Sequence, residues 1–178
     1  KFDAVIVATN PLASEKLTGV KSFAKILPSY TWYHAVAGEI ANSKYLAIDT
    51  KTKLVNSVVI SNVSKDYAPA GMSLISSTSL VKLSQTEVKK AVAKIWNISP
   101  KDLKLVTKYE IKESLPLRKD SKRLDSKVSD GIYIAGDHRD LPSQNGAMRS
   151  GRRAALAVIA DLKGIFREKI KSRNYCSL

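Results

Sequence analysis

Apolar positions along this chain switch between a period of two and a period near 3.6, and the switches divide it into predicted strands and helices. At residues 30–40, Tyr30, Trp32, His34 and Val36 alternate with Thr31, Tyr33, Ala35 and Ala37, which predicts a strand with two different faces. Residues 45–49 and 54–63 read as two more strands joined by a hairpin loop at 50–53, and residues 72–80 as a fourth. Ser84 and Glu87 have capping-box spacing, and Val88, Ala91, Val92 and Ile95 behind them form a helical stripe with Trp96 beside it. After Ser99-Pro100, residues 103–111 alternate again. Near the start, Pro11 suits a helix first turn, so residues 12–17 form a short helix ended near Gly19. Towards the end, the apolar run 132–135 predicts a strand stopping at Gly136. A helix opening at Gly146 follows, with Ala147, Ser150, Gly151, Ala154, Ala155, Val158, Ile159 and Leu162 on a narrow face able to lie close to a sheet. The order predicts an α/β fold carrying an α+β insertion with a mixed or antiparallel sheet.

Composition narrows the chemistry. No apolar run reaches the roughly 20 residues that span a bilayer. One cysteine, Cys176, and two histidines offer no metal constellation with ligand spacing. The formal net charge of +14 raises nucleic acid as a partner, but the lysines are dispersed and not interleaved with stacking aromatics, so no specific nucleic-acid site is expected. Two denser basic clusters stand out, residues 118–123 and 163–173. In the second, Ile165, Phe166 and Ile170 share a helical face opposite Arg167, Lys169 and Arg173, a pattern open either to a solvent-exposed terminal helix or to peripheral membrane contact.

The strongest chemical signal is Ile132-Tyr-Ile-Ala-Gly-Asp-His138 followed by residues 142–155. Gly136 lets the backbone approach something closely, and Asp137 sits just past the strand's carboxyl end, where open α/β sheets bind ligands. The helix start turns unpaired N–H groups and a positive dipole end towards its loop, which suits an anionic or electron-rich partner. His34 reads as a packed core imidazole and His138 as a neighbour of the ligand site; no nucleophile elbow or carboxylate spacing supports a catalytic triad. Trp32, Tyr33 and Tyr67 read as pocket-lining or core aromatics.

At these residues the chain resembles the C-terminal flavin-binding segment of the flavin-containing amine oxidase and phytoene desaturase superfamily. Residues 2–11 resemble the strand and turn that bring those enzymes back beside FAD, and residues 61–71, with the turn Tyr67-Ala-Pro-Ala-Gly71, resemble the hairpin that follows. The resemblance implies the C-terminal part of a two-domain, FAD-binding Rossmann-like fold: FAD-domain pieces at 1–22 and 116–162, a substrate-type domain at 23–115 and a basic tail at 163–178. It implies FAD as cofactor, held by Gly136, Asp137, Ser143, Gln144, Asn145, Gly146 and Ala147, with Asp137 on the ribityl chain, and hydride transfer from a small organic molecule to flavin N5. Catalytic residues stay unassigned. Where amine oxidases often carry a tyrosine that helps sandwich an amine, this chain has Ser143, which favours an apolar, desaturase-like substrate. Asn10 replaces a proline often found in the first turn. With only 8 glycines and no Gly-x-Gly-x-x-Gly, the N-terminal adenosine-binding βαβ unit is missing. With no initiating Met or leader either, the chain is expected to be a fragment or split-gene product whose partner is the N-terminal half. The alternative is a non-catalytic flavin-domain half that acts only with a partner chain. The expected location is the cytoplasm, with peripheral membrane contact through the tail left open.

Overall fold

The computed structural model describes residues 2–120 and 122–175, with side chains followed as far as residue 164. The faces expected of Ile165, Phe166, Ile170, Arg167, Lys169 and Arg173, and Cys176, lie outside that description. In chain order the elements are β1 (Val5–Val7), α1 (Pro11–Thr18), β2 (Lys25–Ala37), β3 (Asn56–Val59), α2 (Ile60–Val63), β4 (Met72–Ser79), α3 (Gln85–Trp96), β5 (Lys104–Leu117), β6 (Lys127–Ser129), β7 (Ile132–Ile134) and α4 (Gln144–Tyr175), with 3-10 turns at Lys65–Tyr67 and Asp137–Arg139. The chain forms two compact units, Lys1–Ile26 with Pro116–Leu178, and Leu27–Leu115. One mixed and one antiparallel sheet with accompanying helices place it in the α/β class. No helix among the described residues is long and apolar enough to cross a membrane.

In the unit Leu27–Leu115, four strands run in the order β3-β4-β2-β5. Alternation on β2 is realised: Tyr30, Trp32, His34 and Val36 are buried, and Ile75 opposes His34 across the β2/β4 pair. Tyr30, Trp32, Val36, Val59 and Ile75 share one cluster with Val88, Val92 and Ala93 of α3. Burying an aliphatic side chain of this kind contributes roughly 1.5–3 kcal/mol. α3 begins at the capping box foreseen from its spacing: Glu87 N–H donates to Ser84 Oγ at 3.2 Å and Ser84 N–H to Glu87 Oε2 at 2.8 Å. Trp96 Nε1 donates to Ser57 Oγ, which lies 2.8 Å from Ser77 Oγ. Those bonds satisfy the polar side-chain atoms of Trp96, Ser57 and Ser77.

Several expected boundaries move, each for a local reason. Residues 45–49 are not a strand; only an isolated bridge pairs Ala47 with Ser57. Ser43 Oγ takes the Tyr45 N–H and Asp49 Oδ1 the Lys51 N–H, so side chains compete with the ladder, and Tyr45 and Ile48 face solvent. The strand expected at 54–63 stops at Val59 and gives way to the helical turn α2. There Asn62 Nδ2 reaches the carbonyls of Ile40 and Ser43, and Ser61 Oγ accepts from Leu74 N–H. β2 starts earlier, at Lys25, and ends where Gly38 adopts φ +82°. β5 continues past residue 111 to Leu117. The short strand β6 carries no periodic signal that could have announced it.

In the other unit, β1 and β7 pair in parallel, Val5 with Ile132, Ile6 with Tyr133 and Val7 with Ile134, and β6 adds an antiparallel edge. α1 is capped by Asn10, whose Oδ1 accepts from Ala13 N–H at 2.8 Å, and closes at Gly19 with φ +72°. Asn10 in place of proline is therefore a gain of a cap. α4 packs Ala154, Ala157 and Val158 on Tyr133 and Ala135. Two polar ties hold it. At one, midway along the helix, Tyr133 Oη donates to Asp161 Oδ2 at 2.5 Å, with Lys127 Nζ 2.7 Å from the same oxygen. At the other, the fully buried Asp140 accepts from Arg149 Nη2 at 2.6 Å, from Arg153 Nη1 and from Leu141 N–H at 2.8 Å. The Arg149 hydrogen bond leads the forces that hold the Asp140 carboxyl well below the usual carboxylate range, against burial, which pushes it up. A Cβ added at Gly151 would meet nothing within 4 Å, so the close helix-to-sheet approach expected there comes from Ala154 instead.

His34 is buried with neither ring nitrogen partnered, and burial, helped by Lys89, lowers its pKa from 6.5 to about 4. A lowered histidine pKa means the folded state disfavours the cation, so stability is complete above pH 6.5 and declines as pH falls towards 4, by about 3 kcal/mol in all. Urea midpoints between pH 8 and 4 should fall more steeply for the wild type than for His34→Gln; parallel curves would refute this. Asp140→Asn should cost about 3 kcal/mol at pH 7, the low end for a broken buried pair because both arginines are partly exposed. Its depressed carboxyl contributes stability present above about pH 4 and lost on acidification. The gap between variant and wild type should therefore narrow below pH 4, and a gap independent of pH would count against the clamp.

Candidate functional site

The loop from the end of β7 to the start of α4 brings the expected residues together, and its own chemistry explains their order. Ala135 N–H still donates to Val7 O at 3.0 Å, continuing the parallel ladder. At Gly136 the backbone takes φ +156° and its N–H reaches Ser150 Oγ on α4 at 3.2 Å. A Cβ here would fall 2.3 Å from the His138 ring. Glycine is thus required because the imidazole occupies that space; the close approach foreseen at Gly136 is made by the protein itself.

Asp137 to Arg139 then form a single 3-10 turn, closed by Arg139 N–H to Gly136 O at 3.1 Å and Asp140 N–H to Asp137 O at 3.0 Å. Three side chains in a row take different fates. The Asp137 carboxylate is partly exposed, with His138 Nδ1 3.8 Å away, and accepts no hydrogen bond among the described residues. His138 is buried with both ring nitrogens unpartnered. Arg139 is buried and directs Nη1 to Ser22 Oγ at 2.9 Å and Nη2 to Asp125 O. Asp137 is accordingly the acceptor this turn leaves free.

α4 starts at Gln144, two residues before the expected Gly146, because Ser143 is its cap: Gly146 N–H donates to Ser143 Oγ at 3.0 Å and Ala147 N–H to Ser143 O at 2.9 Å. Gly146 is buried, and a Cβ there would lie 1.9 Å from Leu141 O. Its missing side chain lets residues 141–143 fold back over the first turn. Of the first-turn donors, those of Gly146 and Ala147 are therefore used internally, while the N–H groups of Gln144 and Asn145 have no partner among the described residues. The arrangement offers a hydrogen-bonding ligand one carboxylate and two helix N-terminal donors, beside the carboxyl ends of two parallel strands.

Sequence reasoning did not identify Asp140, Arg149 and Arg153, which hold this loop on α4. Their separations of 9 and 13 residues place the arginines one turn apart on one helix face, a signal readable only once the loop's path is known. Arg118 joins them, with Nη1 donating to Asp140 O at 2.9 Å. Among the described residues no group of three or more His, Cys, Asp or Glu could hold a metal ion.

No protein-family model matches the chain, and no curated protein matches it. Solved structures do. The chain is similar to a Pyrococcus furiosus protein at 14% identity and a TM-score of 0.62, over 89% of this chain and 41% of that one. It is similar to reduced UDP-galactopyranose mutase at 14% identity and a TM-score of 0.60, over 83% of this chain and 39% of that one. It is also similar to an oxidoreductase from Methanosarcina mazei at 12% identity and a TM-score of 0.55, over 92% and 43%. The chain spans about two-fifths of the length of these structures, and what it shares with them is the fold.

Proposed function

We propose that this chain supplies the flavin-facing C-terminal part of an FAD-dependent oxidoreductase. The observation that carries the reading is the Asp137 carboxylate, left without an internal partner just beyond β7 and beside the free donors of α4. An ionised carboxylate accepts two hydrogen bonds from vicinal hydroxyls, which is what a ribityl chain presents. The N–H groups of Gln144 and Asn145 suit the electron-rich edge of an isoalloxazine, while Ser143, Gly146 and Ala147 act indirectly by fixing where those donors point. Gly136 keeps the His138 ring tucked beneath the turn. Bound flavin would supply the hydride-accepting chemistry, and the chain's own residues would bind, orient and exclude water.

The substrate reading rests on Ser143. Its Oγ is engaged in the cap, so neither an aromatic ring nor a free hydroxyl is available there to orient an amine. An apolar substrate of the desaturase kind fits better. A partner segment is supported by β1, an edge strand with Val5 and Ile6 about half exposed. That edge suits an N-terminal half carrying the glycine-rich phosphate loop this chain lacks.

Two outcomes test the reading. The 178-residue chain alone should bind FAD weakly or not at all, and in a complete protein containing it Asp137→Ala should weaken flavin retention by roughly tenfold to a hundredfold, the loss of a charge-assisted hydrogen bond of about 1.5–3 kcal/mol. Flavin absorbance after dialysis reads both; unchanged occupancy in the variant removes Asp137 from the site. The complete enzyme should also release little hydrogen peroxide with simple monoamines or polyamines, and rapid peroxide formation together with anaerobic flavin reduction would overturn the apolar-substrate reading.

A further inference from the structure

The cluster at residues 118–123, dense in charge yet unused by the flavin reading, borders a shallow pocket of about 200 Å³ whose walls include Lys21, Ser22, Phe23, Arg118, Lys119 and Asp120. That is several times the ~30 Å³ share of one liquid water. Three cations face one carboxylate there, and the carboxylate is already engaged: Asp120 Oδ1 lies 3.0 Å from Arg118 Nη2. Lys21 Nζ stands 5.6 Å from the centroid of the Phe23 ring, which braces the ammonium at the rim.

Behind the pocket sits a fourth cation without a counter-ion. Arg139 is 5% exposed, forms no ion pair among the described residues, and keeps Nε buried and unpartnered. Burial leads the causes that pull its pKa below the ordinary value, with Arg118 and Arg153 adding to it and Asp125 opposing. Its Nη1 donates to Ser22 Oγ. The Ser22 hydroxyl, having accepted that bond, donates its own proton to nothing among the described residues, although Ser22 lines the pocket. A buried cation thus polarises a hydroxyl, unused as a donor among the described residues, on a residue that lines a space rimmed by three more cations. An uncompensated buried charge is costly, and a multiply charged anion in the pocket would offset it through Ser22 while pairing with Lys21 and Lys119, beside an Arg118 already held by Asp120 and by the Asp140 and Lys122 carbonyls.

We propose that this pocket binds a phosphoryl or diphosphoryl group of a soluble ligand, with Lys21 and Lys119 as outer cations, Arg118 as wall and Ser22, backed by Arg139, as the inner donor. The proposal does not depend on flavin binding and can fail without it. Calorimetric titration of the full chain with inorganic pyrophosphate at physiological salt tests it. Lys21→Ala combined with Lys119→Ala should weaken binding about tenfold, Ser22→Ala about fivefold, as for one lost hydrogen bond, and Lys90→Ala with Lys94→Ala, on α3, less than twofold. Melting curves for each variant establish that the fold is kept. No pyrophosphate binding by the wild type, or equal weakening by the α3 pair, would reduce the pocket to general attraction by net charge and overturn the proposal. Binding to phosphatidate-containing vesicles with none to pyrophosphate would overturn the assignment to a soluble ligand.

Discussion

The loop that carries Asp137 depends on a carboxylate that cannot itself reach a ligand. Asp140 is buried, and its oxygens are taken by Leu141 N–H, Arg149 and Arg153. A buried ion pair is weak evidence for stability, since its desolvation offsets much of its attraction. Its effect here is one of register. With the Asp140 side chain tied to α4 and its carbonyl to Arg118, the 3-10 turn before it has one placement, and His138 is carried under Gly136. The glycines follow from the same constraint: His138 fills the Cβ space of Gly136, and Leu141 O that of Gly146.

This arrangement separates supporting groups from presenting groups. Ser143, Ser150, Arg149 and Arg153 each commit a polar atom to holding the loop on α4. Asp137 and two backbone donors at the start of α4 are left without an internal partner among the described residues. Rigid presentation of a few groups by a satisfied inner layer is what a binding loop needs, because ordering them on binding would cost affinity.

The parts of the fold that could be read in advance are those where local chemistry and tertiary packing agree. Ser84 and Glu87 cap α3 whatever surrounds them, and the alternation of Tyr30, Trp32, His34 and Val36 survives because one face of β2 is buried. Residues 45–49 are an apolar run that gains no buried face, so Ser43 and Asp49 win backbone N–H groups instead. Gly151 lies on a small-residue helix face, yet the contact with the sheet falls to Ala154; helical periodicity locates a face without saying which residue touches. In the candidate site, Gly136, Asp137 and Gly146 were readable as a strand end and a helix start. The Asp140 clamp was not, because charged residues 9 and 13 positions apart meet only through the intervening turn.

The same physics bears on what the unit containing the site can do unaided. Its sheet has three short strands, β1, β7 and β6, and its apolar cluster centres on Tyr133, Ala135 and Ala154. Val5 and Ile6 on the β1 edge, and Met148, Leu156 and Ile159 on α4, stay between two-fifths and three-quarters exposed. Sheets of this size need a hydrophobic face well covered to be independently stable, and an edge strand with apolar residues invites another strand. Polar ties near the start and at the middle of α4 hold the helix on the sheet where apolar burial is thin. They fix geometry more than they add free energy, and the Asp140 clamp sets the Asp137 turn whatever covers β1.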